Sequence, residues 1–181
     1  IIEAFYQRPV QAVITTEVLR PLGMKASTFT PEKKQCVPTE LTATRGLIQG
    51  EVHDPKAFIL GEHCGSAGLF SNLADLVKFA KWMLAPQTIP GVLAPETVAM
   101  LYADHTPTHD LGRSLGWDLR YDRNNTPCLY HTGFTGTFML LDQKGKNALI
   151  VLSNRVHPSA DNEVFLEWRD KIIATYLAEK D

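Results

Sequence analysis

Apolar positions recur at helical spacing in three stretches of this 181-residue chain, and in a fourth they alternate or run together. Over residues 1–20, Ile2, Phe5, Tyr6, Val10, Val13, Ile14 and Leu19 predict a helix interrupted at Pro9. Pro21-Leu22-Gly23-Met24 ends it. Residues 25–60 carry prolines at 31, 38 and 55 with little periodicity, so a long irregular excursion is expected. Gly65-Ser66-Ala67-Gly68 reads as a small-residue turn. Ser71 or Asn72 can then cap a helix over about 73–85, with Leu73, Leu76, Val77, Ala80, Trp82, Met83 and Leu84 as its stripe. Asp75 falls near the positive end of that helix dipole. Pro86, Pro90 and Gly91 break it, and Pro95 opens a short helix at about 96–103.

From Leu115 the period changes. Trp117, Leu119 and Tyr121 alternate with polar residues and predict a strand, followed by a turn over Asp122 to Pro127. A second strand is expected from about Phe134 to Leu141. Asp142 to Lys146 form a hairpin connection, and Ala148 to Leu152 a strand buried on both faces. The last helix is predicted over about 161–179, burying Val164, Phe165, Trp168, Ile172, Ile173 and Tyr176. The class is α+β. An N-terminal helix (1–24) and an irregular, mostly helical region (25–110) precede three antiparallel strands and a helix (111–181), all expected to form one structural unit. Three strands stand only when both faces are covered. The terminal helices can cover one face; the other face and a sheet edge call for material outside these residues.

Composition narrows the possibilities. Apolar content of 44% and charged content of 21% suit a globular domain with a real core. A formal net charge of −2 favours neither nucleic acid nor an anionic membrane surface. No apolar run is long enough to span a bilayer. Cys36, Cys64 and Cys128 are odd in number and scattered, so three separate thiols are expected rather than a disulfide framework or a zinc site. The first residue is Ile1, inside an apolar-periodic segment without an N-cap, as expected of a piece of a longer chain.

Four patterns bear on chemistry. Leu129-Tyr130-His131-Thr132-Gly133-Phe134-Thr135-Gly136-Thr137 reads as a strand with small residues and exposed backbone, the presentation that acyl transfer needs to hold a developing oxyanion. Glycine within a strand marks either a bulge or close approach by a ligand. Gly112-Arg113-Ser114-Leu115-Gly116 matches the G-x-S-x-G elbow literally, yet a polar segment precedes it and a strand pattern follows, where the elbow needs strand, turn and helix. His105 and His109 have the i, i+4 spacing of a zinc pair, but Pro107 lies between them and no Glu follows His105. Hydrogen-bonded or solvent-facing histidines are expected, with no metal and no cofactor. Neither Ser-x-x-Lys nor Tyr-x-Asn occurs in the sequence.

Several segments, in order, resemble the C-terminal part of class C β-lactamase-like serine hydrolases, the family that includes penicillin-binding proteins, esterases and D-aminopeptidases. They are Pro21-Leu22-Gly23-Met24 with Thr28-Phe29, Gly50-Glu51-Val52-His53-Asp54-Pro55-Lys56-Ala57, and Gly65-Ser66-Ala67-Gly68-Leu69-Phe70-Ser71 with Asp75-Leu76. Further along come Leu115-Gly116-Trp117, His131-Thr132-Gly133, and Leu152-Ser153-Asn154-Arg155-Val156-His157-Pro158. The resemblance implies a β-lactamase/transpeptidase-like fold and an acyl-enzyme mechanism. It implies that the Phe134 N–H is one of two oxyanion donors and that His131 stands where relatives carry Lys. Thr132, Gly133 and Thr135 would line the substrate, with His157 and Ser159 as further contacts. The resemblance implies acyl-enzyme hydrolysis of a β-lactam, an ester or a D-amino-acid amide. Lys offers a fixed positive charge, whereas a free imidazole is mostly neutral at pH 7, which favours the less anionic of these substrates over an efficient β-lactamase. Ser66 stands where many relatives place His. The implied partners are a small-molecule or peptidoglycan-like substrate and an N-terminal part bearing nucleophile and base. The compartment stays open between the bacterial cell envelope and the cytoplasm. A non-catalytic binder of cell-wall fragments and an elbow hydrolase using Ser114 are the alternatives.

Overall fold

The computed structural model describes residues 1–179. They form two compact units. The first comprises Ile1–Phe79 together with Asn154–Asp161; the second comprises Ala80–Ser153 together with the stretch from Asn162.

In the first unit the predicted N-terminal helix is two helices, α1 (Ile2–Tyr6) and α2 (Val10–Ile14). Gln7 turns into the left-handed region (φ 52°) and Pro9 precedes α2, so no continuous ladder can form. α2 runs on into a π-helical turn over Thr15–Leu19. There the Thr15 and Thr16 hydroxyls donate to the carbonyls of Gln11 (2.8 Å) and Ala12 (3.0 Å) and compete with the helix's own bonds. Val10, Val13 and Leu19 are buried, whereas Ile2, Phe5 and Tyr6 are exposed. The irregular stretch holds a two-residue pairing, β1 (Leu41–Thr42) with β2 (Gly46–Leu47). It also holds a helix that periodicity did not reveal, α3 (Pro55–Leu60). Pro55 opens α3, and the Asp54 carboxylate accepts the Ala57 N–H at 2.7 Å.

α4 (Leu73–Leu84) begins as its sequence indicates. The Asn72 side chain accepts the Asp75 N–H at 2.9 Å and caps the helix. Asp75 is buried at 2% exposure, while Leu73, placed in the apolar stripe by its spacing, is exposed. The Asp75 carboxylate accepts from the Ala26 N–H (2.8 Å) and the Ser27 hydroxyl (3.0 Å), and pairs with Lys78 (2.7 Å). This ties the first turn of α4 to the segment after Met24.

The second unit contains α5 (Pro95–Met100) and a four-stranded antiparallel sheet, where the pattern predicted three strands. The strands β3 (Asp118–Tyr121), β4 (Pro127–Thr132), β5 (Phe138–Asp142) and β6 (Asn147–Val151) pair in sequence order. β4 escaped the alternation test because Cys128, Leu129 and Tyr130 are all buried in succession. A central strand covered on both faces shows no period of two. β6, expected to be buried on both faces, is an outer strand of this sheet and only half-buried.

α6 (Val164–Glu179) packs on the sheet. Ile173 meets Cys128, Tyr130, Phe138 and Leu140, and Phe165, Tyr176 and Leu177 close over them. Each such large side chain contributes about 1.5–3 kcal/mol when fully buried. The predicted buried face is corrected here. Val164 (64%), Trp168 (58%) and Ile172 (38%) are exposed, and Leu177 joins the core instead. Their i, i+4, i+8 spacing gives a second apolar stripe on the exposed side of α6, where the Lys171 ammonium lies 5.0 Å over the Trp168 ring.

Candidate active site

The motif residues do not lie in one strand. β4 ends at Thr132, and Gly133 to Thr137 turn the chain into β5. The Gly133 N–H donates to the Thr137 carbonyl (2.7 Å), and the Gly136 N–H donates to the Gly133 carbonyl (3.0 Å). Gly136 takes φ +116°, a conformation that a side chain disfavours. A Cβ on Gly133 would come within 2.5 Å of the Thr137 hydroxyl. Glycine at 133 is therefore required by close approach within the hairpin itself. Ser153, just past β6, donates its hydroxyl to the Gly136 carbonyl at 2.5 Å. Two backbone bonds and one side-chain bond thus fix the turn from inside the second unit.

Phe134 and Thr135 occupy the tip of this turn. The Phe134 side chain is 62% exposed, so the tip faces outward rather than into the core. His131 is exposed and pairs across the sheet with Met139; Thr132, opposite Phe138, is half-buried. The Trp117 ring stands perpendicular to the His131 imidazole, with ring centres 5.9 Å apart. On the opposite face of β4, Tyr130 meets Phe138 edge-on, and Arg120 lies 4.8 Å over its ring. Burial pushes the Tyr130 phenol above its ordinary value. The two faces of β4 thus differ in kind. One anchors α6, and the other carries an exposed imidazole beside a half-buried indole.

His157 and Ser159 lie in the first unit. The His157 Nδ1–H donates to the Thr39 carbonyl (2.9 Å), and the Ser159 hydroxyl donates to Asp161 (2.7 Å). The Ser114 hydroxyl is buried, and Gly112–Gly116 leads through bends into β3 with no helix after it, so the elbow geometry is not formed. The His105 ring lies 2.7 Å from the Met100 carbonyl, and the His109 ring 2.7 Å from that of Asp104. Among the described residues no group of three His, Cys, Asp or Glu side chains is placed to hold a metal ion. Cys36, Cys64 and Cys128 form no disulfide. No helix of the described residues is long and apolar enough to cross a membrane.

Sequence reasoning did not single out Ser153, which bonds the turn, or Trp117, which meets the His131 ring, as site residues; both stand in segments that carry the family resemblance.

A sheet with a glycine hairpin after His-Thr-Gly, a C-terminal helix on one face and a helical partner unit define a β-lactamase/transpeptidase-like fold. The chain belongs to the beta-lactamase family, whose model matches residues 1–170. It is 31% identical to a protein of Escherichia coli O157:H7 named D-alanyl-D-alanine carboxypeptidase, over 97% of this chain and 48% of the relative. A Salmonella enteritidis protein of the same name is 29% identical over 90% and 44%. The chain spans about half the length of the curated relatives it matches.

Solved structures agree in fold. A beta-lactamase from Mycobacterium bovis superposes with TM-score 0.60 at 19% identity, covering 97% of this chain and 60% of that one. Simvastatin synthase from Aspergillus terreus gives 0.63 at 16% identity, covering 93% and 54%. A beta-lactamase/D-alanine carboxypeptidase from Yersinia pestis gives 0.58 at 17% identity, covering 94% and 50%.

Proposed function

We propose that this chain is the C-terminal portion of an active-site-serine hydrolase that cleaves D-alanyl amides, esters or related small acyl compounds through an acyl-enzyme. In that reaction a serine oxygen bonds to the acyl carbon, and the amide or ester bond breaks. The leaving group takes up a proton, and water then releases the acid. The serine and its base would lie on a part of the parent protein outside these residues. The chain contributes a wall. The Phe134 N–H serves as one oxyanion donor, and Thr132, Gly133 and Thr135 line the substrate. His131 faces its polar end. In the first unit, His157 and Ser159 are candidate substrate contacts. The observation that carries this reading is the outward-facing tip at Phe134, fixed by the Gly133 and Ser153 hydrogen bonds at the end of a motif strand. The names of the carboxypeptidase relatives support the D-alanyl substrate class.

The chain by itself is expected to be inactive, because its donors have no nucleophile to serve. The test is labelling by a fluorescent penicillin. The full-length protein should become covalently labelled and hydrolyse a chromogenic ester or D-alanyl amide, and the 181-residue chain should do neither. Saturable binding of cell-wall peptide by a full-length protein that is never acylated would replace the hydrolase with a non-catalytic binder.

A further inference from the structure

Residues Asn154–Asp161 form neither helix nor strand, so no regular ladder holds their backbone. Their order comes from cross-links to a segment more than a hundred residues earlier. The Asn154 amide donates to the Pro38 carbonyl (2.5 Å), and His157 donates to the Thr39 carbonyl (2.9 Å). The Leu41 N–H donates to the Pro158 carbonyl (2.9 Å). One side chain completes the set. Glu40 accepts the Ala160 N–H on one carboxylate oxygen (3.2 Å) and meets His53 Nε2 with the other (2.9 Å).

We propose that Glu40 and His53 are a positioning pair that holds the His157–Ala160 turn in its binding conformation and thereby sets substrate affinity without touching substrate. The side chains are 23% and 13% exposed, so water competes weakly for the contact. His53 is itself held at its main chain. Arg45 donates to the carbonyls of Val52 (2.6 Å) and His53 (3.0 Å), pairs with Glu51 (3.3 Å), and stacks over Phe58 at 4.0 Å. Arg155 closes the far end by donating to the Ala160 carbonyl at 3.0 Å. Glu40 thus transmits a fixed point, His53, to a turn whose own residues make only loop contacts. The three backbone-carbonyl links survive a change at Glu40, so such a variant loosens the turn rather than unfolding the unit.

This inference rests on the proposed role of His157 and Ser159 in substrate contact, and its test separates the two. Deuterium exchange of the peptide covering residues 154–161 is followed in the full-length protein alongside turnover of a chromogenic ester. Glu40→Ala should reduce protection of that peptide and raise KM by about tenfold, the effect of losing one hydrogen bond to a charged group, with kcat little changed. Glu40→Gln keeps an acceptor for Ala160 and an amide toward His53, and should recover most of both. Unchanged exchange in Glu40→Ala overturns the positioning pair, as does a fall in kcat with KM constant. Absence of turnover in the wild-type protein would count against the hydrolase reading, and the exchange data would then decide the positioning pair by themselves.

Discussion

Ser153 donates its hydroxyl to the carbonyl of Gly136 at 2.5 Å, joining the end of β6 to the hairpin between β4 and β5. Gly136 is buried, so its carbonyl would otherwise lose hydrogen bonding. Ser153→Ala should therefore cost about 1 kcal/mol of unfolding free energy. It should also slow acylation of the full-length protein, because the Phe134 amide would be held less firmly. Urea unfolding and the penicillin-labelling rate check the two effects. Stability and labelling both at wild-type level would show that the bond does not matter.

Gly133 and Thr137 are coupled by space. Gly133→Ala places a methyl 2.5 Å from the Thr137 hydroxyl and should destabilise by about 1–3 kcal/mol. In a Thr137→Ala background the nearest remaining atoms, the Thr137 carbonyl oxygen at 3.5 Å and its Cβ at 3.8 Å, allow ordinary contact. The double-mutant cycle should then show a favourable coupling of about 1 kcal/mol or more. Strict additivity would mean that the clash relaxes elsewhere.

Asp75 sets an acid limit for the first unit. Burial by itself would raise its carboxyl, but Lys78, Ser27 and the Ala26 N–H outweigh it and hold the group below its ordinary value. The folded value is the lower one. The stabilisation is therefore complete above the ordinary carboxylate value of about 4, and it fades as pH falls through the depressed folded value. Asp75→Asn should lower stability at pH 7 by about 2 kcal/mol and flatten the acid branch of a stability-against-pH curve. An unchanged acid branch in the variant would assign the sensitivity to other groups.

Val164, Trp168 and Ile172 leave an apolar stripe open on α6, beside a half-buried outer strand β6. The isolated 181-residue chain should self-associate as its concentration rises. Trp168→Glu with Ile172→Lys should suppress this. Sedimentation velocity provides the measurement. A wild-type chain that stays monomeric and unfolds in a single cooperative transition would contradict the expectation.

His131 tunes substrate charge in the proposed reaction. His131→Lys supplies a fixed positive charge and should raise kcat/KM about tenfold for substrates with a free carboxylate, relative to a neutral ester. The ratio of the two rates in the full-length protein is the observable. No change in that ratio would remove His131 from carboxylate recognition.

The sequence by itself determined the class and the helix boundaries that rest on local chemistry. Asn72 capping α4 and Pro95 opening α5 are examples, because caps and proline act within one turn. It also determined the place of the His131–Gly133 motif, through ordered family segments rather than through periodicity. Only the tertiary structure decided where the motif strand begins and ends, at Pro127 and Thr132, since Cys128, Leu129 and Tyr130 are buried in succession and show no alternation. The tertiary structure likewise decided which face of α6 is inside. Val164, Trp168 and Ile172 share helical spacing with Phe165, Ile173 and Tyr176, and an apolar residue carries no mark of which stripe will meet a sheet. The links from Ser153 to Gly136 and from Glu40 to Ala160 span 17 and 120 positions, and contacts of that range form only once the chain has folded.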